Sequence, residues 1–178
     1  MKQEFTISVY SENHVGLLNQ ITTVFFRRRI NIESLTTSES AIKGVHKFTI
    51  VVNTTREQVD KLIGQIEKCI DVVKAFAYTA DEIIHEEVAL YKVPTEALLG
   101  GNEIEKIVRQ YGARILEVKP EFTVIEKTGH KSETQALLEK LQPYGLLQFV
   151  RSGRIAITSL KTELLDNYLK NIGSENQF

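Results

Sequence analysis

An α+β chain made of two successive βαββαβ units is the fold class that the sequence predicts. Three observations predict it. Apolar residues switch between a period of two and a helical period in the order strand, helix, strand, strand, helix, strand. The same order then runs a second time, offset by about 75–80 residues. A chain of 178 residues also suits two small domains of about 75–90 residues each. Two such units make two ferredoxin-like sandwiches, each an antiparallel four-stranded sheet with both helices on one face.

The first element is "EFTISVY", where Phe5, Ile7 and Val9 share one face and Thr6 and Ser8 the other, the period of a half-buried strand. From Gly16 the period becomes helical: Leu17, Leu18, Ile21, Val24 and Phe25 form one apolar stripe. "RINIESLTTSE" is extended, and a turn through Lys43-Gly44 leads to the β-branched strand "VHKFTIVVN". Thr54 and Glu57 fit a capping box for the helix that carries Val59, Leu62, Ile63 and Ile66. "DVVKAFAYT" closes the unit as a fourth strand.

In the second half "EEVALYKV" is a strand, and "GNEIEKIVRQYG" a helix stopped by Gly112. "ARILEVKP" and "EFTVIEKT" are two strands joined around Pro120, "KSETQALLEKLQPYG" is a helix, and "LLQFVRSGRIAITSL" supplies the last strand material. The boundary is expected between Tyr78 and His85. That divides the chain into 1–79, 80–160 and a tail, 161–178, which is helical through Leu164, Leu165 and Tyr168 and then frays. One face of each sheet and its two edge strands are left looking for cover, so pairing with another copy is a natural outcome.

Composition narrows the function. With 42% hydrophobic and 25% charged residues the chain is globular. A net charge of −1, from 22 basic and 23 acidic residues, argues against a nucleic-acid binder, which carries a basic surplus. The single cysteine, Cys69, cannot make an internal disulfide and sits among apolar neighbours as a small hydrophobe. The N-terminus has no signal-like apolar region and no window approaches about 18 uninterrupted apolar residues, so a cytoplasmic location is expected. His14, His46, His85 and His130 show no ligand spacing, so no metal site is expected. Arg27, Arg28 and Arg29 complement the end of a helix dipole, and no catalytic constellation is visible.

What remains is "SENHVGLL" at the start of the first helix and Asn31 just past its end. A helix start offers unpaired N–H groups and partial positive charge, enough to hold a carboxylate without a basic side chain. Gly16 lets a small ligand approach the backbone, Asn13 offers both a carbonyl and an amide, and Asn31 adds a polar contact where a neighbouring subunit meets it. Such a pocket suits a small apolar amino acid. A second reading stays open on the residues alone: Asn13 caps the helix, Gly16 is a turn residue and Asn31 a solvated strand end.

The stretch "YSENHVGLLNQITTVFFRRRINIESLTTSES" resembles the opening of ACT domains, specifically those of the small regulatory subunits of acetolactate synthase (acetohydroxyacid synthase). That family reads Glu-Asn-x-x-Gly-x-Leu, then a helix with an Arg-rich end, then Asn-Ile-Glu-Ser-Leu. Here these are Glu12, Asn13, Gly16, Leu18, Arg28 and Asn31 to Leu35. The resemblance runs on through "KCIDVVKAF", Glu87 to Val93, "ARILEV" and "FVRSGRIAI", with Arg151 to Gly153, and covers about residues 3–160. His14-Val15 stand where the family often has a small polar pair, and Leu17 where it often has alanine. The tail after Leu160 is longer than the family's.

The resemblance implies a subunit with no catalytic site or cofactor of its own. It implies a homodimer formed through the ACT domains, with valine or another branched-chain amino acid bound at Asn13, His14, Val15, Gly16, Leu17, Leu18, Asn31 and Ile32. It implies contact between the C-terminal domain and a large catalytic subunit that uses thiamine diphosphate, with magnesium and FAD. The small subunit would stimulate that partner and confer feedback inhibition in branched-chain amino-acid biosynthesis, with no nucleic-acid or membrane partner. A stand-alone ACT-type sensor or repressor is the alternative. An RNA-binding module is disfavoured because "VHKFTIVVN" carries one aromatic where a stacking strand needs several.

Overall fold

The structure is a computed structural model and describes residues 1–162 and 164–175, with side chains up to Lys170. The chain divides into two compact units. The first comprises Met1–Ile84 and the chain from Arg154 onward; the second is His85–Gly153.

The first unit runs β1 (Gln3–Glu12), α1 (Leu17–Arg28), β2 (Ser34–Glu39), β3 (Val45–Thr54), α2 (Arg56–Ile66) and β4 (Val72–Tyr78). The sheet order is β2-β3-β1-β4 with antiparallel neighbours. Phe5, Ile7 and Val9 of β1 are fully buried against Leu17, Ile21 and Phe25 of α1 and Val59, Leu62 and Ile66 of α2. Each such side chain contributes about 1.5–3 kcal/mol of burial. Arg29, at φ 54°, ends α1, and its N–H donates to Phe26 C=O at 3.0 Å.

One expected cap moves by a residue. Thr55, not Thr54, is the N-cap of α2, its side chain accepting the Gln58 N–H at 3.3 Å. Thr54 instead belongs to β3, and its hydroxyl pairs with the Gln58 side chain. Both threonines match the signature, and the end of the strand ladder decides between them.

The second unit runs β5 (Ile83–Pro94), whose first two residues belong to the first unit, then α3 (Thr95–Leu99), α4 (Glu103–Gln110), β6 (Arg114–Val118), β7 (Phe122–Gly129), α5 (Lys131–Leu141) and β8 (Gln148–Arg151), in sheet order β6-β7-β5-β8. Its core is Ala89, Tyr91, Val93, Ile104, Val108, Ile125, Leu137 and Leu141. The Tyr91 hydroxyl donates to Thr134 C=O at 2.6 Å, and burial pushes its pKa up to about 12. The short α3 has no counterpart in the sequence reading; five residues are too few for a periodicity to register.

The chain passes from the first unit to the second at Ile84/His85 and back again at Gly153/Arg154. The stretch expected as last strand material of the second unit breaks at Gly153, and β9 (Ile155–Thr158) belongs to the first unit. So does α6 (Leu164–Glu175), part of the expected tail. The fraying is expected after Tyr168, whereas α6 continues to Glu175; residues 176–178 lie outside the described residues.

This return explains why β1 is buried on both faces rather than one. Thr6, Ser8, Tyr10, Thr49 and Val51 lie on the side away from the helices and are nevertheless buried. Arg154 contacts Thr6 and Glu4, the Lys47 ammonium donates to Ala156 C=O at 3.0 Å, and Lys74 lies 5.2 Å from the Tyr168 ring centre. Leu165 is fully buried. Among the described residues no helix is long and apolar enough to cross a membrane.

Candidate functional site

Four residues join β1 to α1, and the last of them decides the geometry. Gly16 is the N-cap of α1 at φ 91°, ψ −10°, a left-handed conformation that costs a residue with a Cβ about 1–2 kcal/mol. A Cβ added there meets nothing within 4 Å, so the space in front of the helix is open. No side chain caps α1, and its first turn holds no acidic residue. Asn13 is therefore not the helix cap. The first-turn amides of Leu18 and Asn19 remain, with the dipole behind them, for an external acceptor.

His14 is held in place by residues at the ends of two neighbouring strands. Its Nδ1 lies 3.0 Å from Asp71 Oδ1 and its Nε2 3.7 Å from Glu12 Oε2. The hydrogen bond to Asp71, reinforced by that residue's charge, raises the His14 pKa above its ordinary value. The Glu12 N–H donates to Asp71 C=O at 2.9 Å, so the backbone fixes this cluster as well. The donor atoms of Glu12, His14 and Asp71 all lie within 4.8 Å of one another. Local spacing of histidines could not reveal that, because Asp71 arrives from the turn just before β4.

The apolar members of the predicted site divide. Val15 is fully exposed and Leu18 is 44% exposed, both available to a ligand or a partner. Leu17 is not: its side chain is 2% exposed in the core, and its N–H donates to His14 C=O at 3.3 Å. Leu17 thus serves the turn and the core, because the helical stripe that buries Ile21 and Phe25 includes it. Ile32 is half-buried against the same core. Asn31 is exposed and donates from Nδ2 to Glu33 Oε1 at 2.9 Å. Glu33, a partner the motif itself did not suggest, is fixed through its N–H to Val51 C=O at 2.8 Å.

The two polar halves do not meet in one chain. Asn13–Gly16 precede α1 and Asn31 follows it; twelve helical residues span about 18 Å, several times the size of an amino acid. Between them α1 presents Leu18 and Phe26, the latter 80% exposed. Cys69 packs at the edge of this core, its thiol pKa raised by burial and by the Asp71 charge.

The first unit, a ferredoxin-like sandwich that opens its first helix uncapped behind a left-handed glycine, makes this an ACT-domain protein once its family match is added. Residues 7–74 match the family described as the AHAS small subunit-like ACT domain. Residues 86–160 match the family described as the small subunit of acetolactate synthase. Over 157 residues the chain is 36% identical to the acetolactate synthase small subunit of Bacillus subtilis, covering 88% of this chain and 90% of that one. The Mycobacterium leprae small subunit is 35% identical over 153 residues, covering 86% and 90%. The crystal structure of the acetolactate synthase small subunit from Thermotoga maritima superposes with a TM-score of 0.81 at 26% identity, covering 90% of this chain and 99% of that one. The chain belongs to the acetolactate synthase small subunit family.

Proposed function

We propose that this chain is a homodimeric regulatory subunit that binds a branched-chain amino acid, valine first among them, and sets the activity of an acetolactate synthase catalytic subunit. The observation that carries the reading is the separation of the two polar halves. A two-fold partner laid antiparallel along α1 brings Asn13–Gly16 of one chain to Asn31 of the other, making two equivalent sites. The exposed Val15, Leu18 and Phe26 then supply apolar contact between helices and walls for the effector side chain. The amides of Leu18 and Asn19 and the side chains of Asn13 and Asn31 take its carboxylate and ammonium.

Effector binding acts by favouring one arrangement of the two protomers, and its effect is bounded by its differential affinity for the two. The second unit contacts the catalytic subunit, which carries the thiamine diphosphate, magnesium and FAD; the small subunit itself supplies no cofactor. In this role it stimulates the catalytic subunit and makes it sensitive to feedback inhibition. The setting is cytoplasmic, where that chemistry has its substrates.

Complementation tests the two-chain site. Asn13→Ala and Asn31→Ala chains each lose valine binding in calorimetry, whereas co-refolded mixtures regain about a quarter of the wild-type sites, the fraction expected from random pairing. A mixture that stays inactive while both chains dimerise places the site within one chain and refutes the arrangement. Failure of the chain to capture a thiamine-diphosphate enzyme from its own extract, or to raise acetolactate formation, would favour the stand-alone sensor instead.

A further inference from the structure

The run Arg151-Ser152-Gly153-Arg154 crosses from one unit into the other, and each arginine is sunk in a different one. Arg151 donates from Nη2 to Gln135 Oε1 at 3.0 Å, and its Nε lies 3.8 Å from the buried Glu87 carboxylate. Ser152 closes the β5 ladder: its N–H donates to Val88 C=O at 2.8 Å, and its Oγ accepts the Val88 N–H at 2.9 Å.

Two residues later Arg154, only 5% exposed, belongs to the first unit. Its N–H donates to Ser34 Oγ at 3.0 Å, its Nη1 donates to Thr6 Oγ1 at 2.8 Å, and the same nitrogen lies 2.8 Å from Glu4 Oε1. Ser34 and Thr6 both pair with Val51, so Arg154 spans one row across β2, β3 and β1. Its Nε has no hydrogen-bond partner among the described residues. Burying a guanidinium with a donor unspent is costly, and an apolar side chain would cover Val51 at less expense. The arginine is therefore better explained by what it grips than by the burial it provides.

It grips the strands that carry the candidate effector residues. β1 runs into Asn13–Gly16, and β2 starts two residues after Ile32. A short chain of hydrogen bonds joins Asn31 to the grip. The Asn31 amide donates to Glu33, the Glu33 N–H to Val51 C=O, and the adjacent Ser34 accepts the N–H of Arg154. An effector carboxylate that takes the second N–H of the Asn31 amide sits beside the Glu33 carboxylate, and the repulsion between the two anions acts next to the anchor of Arg154.

Resting on the effector reading above, we propose that Arg154 is a positioning residue, the clasp through which occupancy at Asn31 is passed to the chain entering from the second unit. It touches neither effector nor partner. Its removal uncouples the two while each still binds.

The test uses the full-length chain with Arg154→Gln and Arg154→Lys. In wild type, valine changes amide hydrogen exchange at residues 33–36 and at 154–158. In Arg154→Gln, residues 154–158 exchange faster and no longer respond, β1 and β3 stay protected, and valine affinity stays within about twofold. With the catalytic subunit this variant still stimulates, but inhibition by valine weakens by about fivefold or more, the low end of ordinary coupling. Arg154→Lys, which keeps a charge beside Glu4, recovers part of the response. A residue that only held the fold would lose stimulation and inhibition together. Wild-type responses in Arg154→Gln overturn the proposal, as does a parallel loss of both effects. If wild type itself takes up no valine, the effector reading fails. The clasp is then judged on exchange at 154–158 without ligand, and an unchanged rate in Arg154→Gln overturns it.

Discussion

Replacing Gly16 by alanine separates what the backbone needs at the start of α1 from what a ligand needs there. At φ 91° a Cβ costs about 1–2 kcal/mol, while the stiffer unfolded chain returns about 0.4–1 kcal/mol. No neighbour lies within 4 Å of the new Cβ, so no clash adds to the cost. The net is about 0.5–1 kcal/mol of destabilisation, confined to the first unit. With a urea slope of about 1–3 kcal/mol/M, its midpoint falls by roughly 0.5 M. Methyl resonances of Ile7, Ile21 and Ile50 follow the first unit, and those of Ile104 and Ile125 serve as the internal reference. Gly16→Asn is the companion variant, because asparagine tolerates the left-handed region better. It destabilises less, yet its side chain still projects into the open space before the helix. Both variants therefore weaken valine binding by about tenfold or more, each tenfold being about 1.4 kcal/mol, whatever their stability. An unchanged or raised urea midpoint for Gly16→Ala refutes the backbone argument. Intact affinity in both variants refutes approach of the ligand at Gly16.

Two adjacent leucines on α1 should behave oppositely. Leu17→Ala, in the core, loses about 2–5 kcal/mol, whereas Leu18→Ala stays within about 0.5 kcal/mol but weakens valine binding or dimerisation; equal urea midpoints for the two would contradict the burial assigned to Leu17. The His14–Asp71 pair makes a pH prediction: with the folded pKa raised, its stabilisation is fully present below the unfolded pKa of about 6.5 and is lost as pH rises through the raised folded value. The ring-proton titration of His14 should fall back toward its ordinary midpoint in Asp71→Asn, and a midpoint that stays put would remove Asp71 as the cause.

Most elements of both units were legible because each states its own period locally. The stripe Leu17, Ile21, Phe25 could be read as a buried helix face, and Phe5, Ile7, Val9 as a buried strand face, without knowing what covers either. The motif Asn13, Gly16, Asn31 was equally plain, and Gly16 does adopt a conformation that favours glycine. What stayed hidden was whatever depends on a distant segment. Thr6 and Ser8 read as solvent-facing, yet Arg154, 148 residues from Thr6, lies over that face. Asp71 joined His14 through the pairing of β1 with β4, which no single window reveals, whereas Glu33 lay inside the quoted motif, two residues from the Asn31 it accepts from.

The sequence by itself determined the two βαββαβ orders, the helix start with its glycine and the family to which the chain belongs, all encoded in residues a few positions apart. The tertiary structure alone decided that the chain from Arg154 returns to the first unit and that Leu17 faces inward while Leu18 faces out. It also decided that Asp71 stands beside His14. The physical reason is common to all three. Periodicity specifies which face is apolar, but which distant segment covers a face or meets a loop, and which residue at the rim of a stripe is covered, is chosen only when the elements pack.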